Sequence, residues 1–264
     1  MRTGLHTFCV LVAKEVLGLV KNQATVLSML VPVTFVALWH LFLGDVGVGA
    51  SMGGERSTDV SSQDAAIVQH IVLSTSLCMS IGMAASMSLV YGLAEAKETC
   101  ALRTLVLASV GVGRILLAKG LATFVVTLAA EVACFVASGV PWSLFGWFLL
   151  FGGMGALPVF LLSFVAGLAS RNQMAAGLYG MLVLLLATAP AFGGLSEGVR
   201  AVVRFAPTGG VDELLSLAMA GSLTPTAAVE PLLMTAVWTV AAAAAFKLLF
   251  RRLVRQDDLL LLGD

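Results

Sequence analysis

An all-α membrane protein is the fold predicted for this 264-residue chain, on three observations. Hydrophobic residues make up 59% of it and charged ones only 11%, with mean hydropathy +1.00, far beyond a soluble domain. Six stretches reach or approach the ~20 apolar residues that a helix rising ~1.5 Å per residue needs to cross a ~30 Å hydrocarbon core. They are 24–43, 65–93, 118–140, 144–169, 174–192 and 229–250, and their only formal charges are Lys119, Glu131, Glu230 and Lys247. With no water at depth to satisfy backbone groups, each must be a helix. The expected organisation is an interfacial amphipathic helix over 1–22 and a six-helix transmembrane domain over 23–264, with an insert at 94–119 and an outer loop at 193–228.

The first 22 residues resemble a secretory signal only superficially, because Lys14 and Glu15 interrupt the apolar run and no small-residue cleavage site follows. Leu5, Phe8, Val12, Val16 and Leu19 recur at helical steps away from His6, Lys14 and Lys21, a pattern that suits a helix lying along a leaflet. The second apolar stretch exceeds one bilayer thickness, so it is expected to tilt or to continue past the membrane as helix. Orientation follows from Lys and Arg, which cytosolic segments retain. With both termini cytosolic, twelve of the fifteen lie inside and only Arg56, Arg200 and Arg204 outside.

Within the spans, Met79, Met83 and Met87 repeat every fourth residue, an adaptable face suited either to packing or to a pathway for varied apolar cargo. Gly82, Ala84, Ala85 and Ser86 permit close helix approach there. Glu131 is the costly residue, since a charge at span depth costs about 2.5–3.5 kcal/mol on insertion scales. It reads either as a cavity-wall group that selects a cationic or hydroxyl-bearing cargo or carries a proton, or as a neutral acid bonded to a neighbouring Thr or Ser such as Thr127 one turn away. Gly152-Gly-Met-Gly155 and Pro158 are expected to loosen or kink the fourth span. No cysteine falls in an outer loop and none forms Cys-x-x-Cys, so neither a disulfide framework nor a metal site is implied.

The outer loop is patterned. Leu195, Val199, Val202 and Val203 oppose Glu197, Arg200 and Arg204 in a short amphipathic helix that ends at Pro207. Thr208 is placed to cap a second, with Asp212 and Glu213 at its positive end, Leu214, Leu215 and Leu217 facing lipid or protein, and Gly221 as its stop. His40 and His70 read as headgroup-level residues. The tail, Arg251-Arg252-Leu-Val-Arg255 then Asp257-Asp258, reads as an inner-leaflet anchor.

In the insert, Leu102, Leu105, Val106, Ile115 and Leu116 fall at helical steps, which predicts a helix continuing the second span. Ser109-Val-Gly-Val-Gly113 supplies the break before the third. Such an amphipathic projection, with Glu95, Lys97, Glu98 and Arg103 around an apolar edge, is what a groove on a soluble partner grips.

Glu95, Lys97, Glu98, Leu102, Leu105, Ser109 and Leu116-Leu117-Ala118-Lys119 stand in the order seen after the second span of type-2 ABC exporter permeases. The chain resembles that class over essentially its whole length, including Lys14-Glu15 ahead of the first span. Cys100-Ala101 and Val110 replace the class's Gly-Thr pair and Pro. The resemblance implies a dimer with a second copy or a paralogue, in a bacterial cytoplasmic membrane. It implies a separate ABC ATPase docked on the insert, with Glu95 and Glu98 holding the partner, Leu102 and Leu105 filling its groove, and the helix of Lys14 and Glu15 assisting. The chain itself would be no enzyme and hold no cofactor, ATP and Mg belonging to the partner. No Gly-x-x-x-x-Gly-Lys-Ser/Thr cradle occurs in it. Membrane lipid and no nucleic acid completes the expected set of partners. The cargo implied is apolar or amphipathic: a lipid, a hydrophobic drug or an antimicrobial peptide. The alternative is a proton-coupled secondary transporter using Glu131, against which stands the absence of paired broken spans.

Overall fold

The computed structural model describes residues 2–48, 62–99, 101, 104, 111–194 and 196–256, and every regular element among them is a helix. Helix α1 (Arg2–Lys21) leads through Asn22 to α2 (Gln23–Val48). A long rod follows, in which α3 (Ser62–Ala85), a π-helical turn (Ser86–Tyr91) and α4 (Gly92–Glu98) run on directly from one another. After it come α5 (Val112–Ser138), α6 (Phe145–Ala169), α7 (Gln173–Thr188), the short α8 (Glu197–Val203) and α9 (Gly209–Met219), and α10 (Pro225–Gln256).

Five units are long and apolar enough to cross a membrane: Gln69–Glu98, Val112–Ser138, Trp142–Ala169, Gln173–Gly193 and Pro225–Phe250. A sixth arises when Phe8–Lys21 and Thr25–Leu41, bent by 64°, are counted together. The chain therefore has the make-up of an all-helical, multi-pass membrane protein with five or six spanning helices. The bend centres on Asn22, whose amide still donates to the Gly18 carbonyl at 3.0 Å while its own carbonyl accepts from Val26 at 3.0 Å. The backbone ladder thus continues through Asn22 itself even where the axis turns.

Helix ends follow local chemistry. Asn172 and Ser196 cap α7 and α8, their side chains accepting from the amides of Ala175 at 2.8 Å and Val199 at 3.2 Å. Pro225 opens α10, where its fixed φ suits the first helical position. Gly221, at φ +64°, closes α9 where the sequence places the stop. Thr208 departs from expectation. Its hydroxyl does not cap α9 but donates to the Ala187 carbonyl at 2.7 Å, fastening α9 to the end of α7.

The rod is the central element. Leu73, Leu77 and Ile81 are fully buried in one cluster with Phe148 of α6 and Leu215 of α9. Helix α9 accordingly dips into the bundle, burying Val211, Leu214 and Leu215, so of the two expected environments, lipid or protein, Leu214 and Leu215 face protein. Gly210 permits that approach, because a Cβ there would fall on the Pro231 carbonyl oxygen of α10. Helices α7 and α10 are peripheral, with Leu178, Leu182 and Leu185, and Leu233, Val237 and Val240, turned outward. Those faces suit acyl chains or another subunit.

Candidate functional site

The long rod ends in two adjacent side chains of opposite charge, and each engages the matching end of a neighbouring helix. Lys97 Nζ donates to the carbonyls of Leu168 at 2.6 Å and Ser170 at 3.2 Å, at the C-terminus of α6. Glu98 Oε1 accepts from the Gln173 amide at 2.8 Å, at the N-terminus of α7. A cation on terminal carbonyls and an anion on terminal amides both complement the helix dipole. Lys97 and Glu98 thus clamp the C-terminal end of the rod to the short turn Ser170–Asn172. Of the other insert residues, Glu95 is exposed on the rod, while Leu102, Arg103 and Leu105 lie outside the described residues.

A second link holds α1. Glu15 and Lys119 form an ion pair at 2.8 Å with both side chains largely shielded, at 16% exposure each. Shielding removes the screening that holds open surface pairs to about 0–1 kcal/mol, and the cost of desolvating both charges offsets part of that gain. Lys14 is exposed and lines a recess of about 350 Å³ beside it. The pairing joins two segments 104 positions apart, a contact that helical periodicity does not encode.

Between α1, α2 and the rod lies a cavity of about 860 Å³. Met83 and Met87 stand on its wall, whereas Met79 does not. Ser88 and Tyr91, both on the π-helical turn, join them there. Sequence reasoning missed these two, because an i, i+4 ladder of methionines reads as unbroken α-helix. The serine pair at 86 and 88 was the available hint: Ser86 Oγ donates to the Gly82 carbonyl at 2.6 Å, a back-bond that often bends helices.

Glu131 sits elsewhere. It is fully buried, and neither carboxylate oxygen has a hydrogen-bond partner among the described residues. The bond expected from Thr127 does not form, since that hydroxyl donates to the Thr123 carbonyl at 2.9 Å. The carboxyl group instead occupies the notch left by Gly152 on α6, where a Cβ would overlap it. Of the glycines in the fourth span it is Gly152 that makes room for Glu131, while Gly155 admits Val211 of α9.

A polar cluster that sequence reasoning missed joins the rod to α9. His70 and Ser74, one turn apart on α3, meet Asp212 at the start of α9, with Arg200 and Glu213 nearby. Asp212 Oδ1 and His70 Nε2 are shut off from solvent without partners among the described residues. Burial raises the Asp212 carboxyl above the ordinary carboxylate range, and Glu213 adds to that, against the opposing pull of Ser74, His70 and Arg200. The fold therefore holds this proton more tightly than the unfolded chain does. Its contribution to stability is complete at low pH and is lost as pH rises through the ordinary range toward the raised value. Asp212→Asn is expected to flatten that decline. Thermal unfolding of the detergent-solubilised chain at pH 4.5 and pH 8 measures it, and an equally steep loss in both proteins would refute the assignment.

No family model matches the chain, and no curated protein sequence matches it.

Proposed function

We propose that this chain is the transmembrane permease subunit of an ATP-driven ABC exporter. The observation that carries the reading is the rod itself: the second span runs on as helix into the charged insert and is clamped by Lys97 and Glu98 to the turn between two other spans. A push on the insert is then a push on three helices at once. The resemblance of the 95–119 region to the type-2 class, and its Lys- and Arg-rich end, support placing this end in the cytosol with both termini.

On this reading two permease copies, or this chain and a paralogue, enclose the pathway in a bacterial cytoplasmic membrane. A separate ATPase docks on the insert around Glu95, Leu102, Arg103 and Leu105. Glu98 acts within the chain through its bond to Gln173, and Glu15–Lys119 fixes the interfacial helix to the third predicted span. The cargo is apolar or amphipathic, and the cavity that includes Met83 and Met87 is where it is met.

Affinity purification of the tagged chain from its native host tests this. An ATPase carrying a phosphate-binding Gly-x-x-x-x-Gly-Lys-Ser/Thr motif is expected to copurify, and to be lost on deleting residues 100–110. A chain that purifies without an ATPase, yet drives proton-coupled flux in liposomes, would establish the second reading. That reading, a secondary transporter, draws on Glu131, whose two oxygens have no partner among the described residues.

A further inference from the structure

A cluster of titratable groups lies at the end of the rod opposite the Lys97–Glu98 clamp, and the permease reading makes no use of it. Helix α9 packs there against the rod, α6, α10 and the short turn Ala189–Gly194. Asp212, in the first turn of α9, meets His70, Ser74 and Cys78, which follow one another a turn apart along the rod. Ser74 hydrogen-bonds its carboxyl. Asp212 Oδ1 and His70 Nε2 are nonetheless closed to solvent and without a partner among the described residues, so they are not bonded to each other.

Few charges surround the carboxyl. Arg200 of α8 attracts a carboxylate there and Glu213 of α9 repels it. Helix α6 and the turn Ala189–Gly194 carry no charged residue, and Glu230, the one charged residue in the first half of α10, is held by Arg204 at 2.7 Å. Burial outweighs the pull of His70, Ser74 and Arg200, which is why the carboxyl lies above its ordinary range. A carboxylate formed in place is therefore worse off than one in water, and motion of the first turn of α9 relieves it. That motion is short, because Asp212 is half-buried as a residue although its Oδ1 is enclosed. The turn is held by few ties: the Thr208 hydroxyl on the Ala187 carbonyl, the Trp238 Nε1 on the Phe205 carbonyl at 2.7 Å, and Val211 in the notch at Gly155.

We propose that Asp212 is a proton-operated latch between the rod and α9: with its proton the carboxyl lies closed against His70, Ser74 and Cys78, and once the proton passes to water the first turn of α9 swings out and carries the charge into solvent. The latch is closed at low pH and opens as pH rises past the ordinary carboxylate range. Local opening of this kind is read by amide exchange.

Hydrogen–deuterium exchange of the full chain in nanodiscs, corrected for the base-catalysed chemical rate, tests this between pH 5.5 and pH 8.5. Amides 211–215 of the wild type are expected to lose protection by at least ~10-fold, the factor that ~1.4 kcal/mol represents, while those of α6 lose none. Asp212→Asn, with no proton to release, is expected to keep its protection at both pH values. Two exposed positions supply a check that does not depend on how that variant folds. Arg200→Gln removes an attraction for the carboxylate and is expected to move the opening to higher pH; Glu213→Gln removes a repulsion and is expected to move it to lower pH. The proposal is overturned if amides 211–215 show no loss beyond that of α6, if Asp212→Asn loses protection as the wild type does, or if the two glutamine variants fail to move the opening in opposite directions. No ATPase takes part, so these outcomes bear on the latch alone, while the permease reading stands or falls on copurification.

Discussion

Lys97→Met combined with Glu98→Gln is expected to cut ATP-driven transport by at least ~10-fold, because it removes charge-assisted bonds worth about 1.5–3 kcal/mol each. The ATPase is expected to remain bound. The two side chains lie on one helical turn but reach opposite sides of the Ser170–Asn172 turn, one on carbonyls of α6 and one on an amide of α7. On the permease reading, the insert without them would still offer its surface to a partner but would no longer be tied to α6 and α7. Accumulation of a fluorescent amphiphile in inside-out vesicles, read beside copurification, checks this. Single substitutions are expected to fall between the double variant and the wild type. Wild-type transport by the double variant would show that force does not pass through the clamp.

Gly152→Ala is the second substitution with a large expected effect. Its methyl group must displace the Glu131 carboxyl, which is enclosed on all sides, and forced overpacking of this kind costs about 1–3 kcal/mol. Glu131→Ala in the same chain removes the obstacle. Much of the loss is then expected to be recovered, with a coupling energy inside the about 0.5–3 kcal/mol seen for residues in contact. Unfolding midpoints of the four proteins of this cycle measure it, and strictly additive losses would show that the two residues do not share the notch. Glu131→Gln separates the two functional readings as well. A permease is expected to keep transporting with it, whereas a carrier that moves protons through Glu131 is expected to stop.

Spans and stops were legible in the sequence because they are local. Gly221 and the 3.6-residue apolar periodicity each act within a turn of where they stand, so composition and spacing suffice to place them. The continuation of the second span into the insert was legible for the same reason. Contacts between distant segments were not. Lys97 and Glu98 were read as partner-facing, since nothing in their neighbourhood points to a turn over 70 residues away. Thr208 looked like a cap by type and position, but tertiary packing gave its hydroxyl to Ala187. Asp212 read as a dipole partner at a helix start, yet burial against His70 and Ser74 decides its chemistry. Local propensity yields wherever a buried polar group finds, or lacks, a partner from another helix.

The central claim is that this polypeptide supplies the route through the lipid while a nucleotide-hydrolysing partner docks beneath it on the insert. A photoreactive amino acid at Thr104, in cells expressing the native operon, tests it most directly. A light-dependent adduct with an ATPase subunit is expected, together with no labelling of a cysteine at the same position by a membrane-impermeant reagent added outside. An adduct with no ATPase while transport continues, or ready labelling from outside, would contradict it.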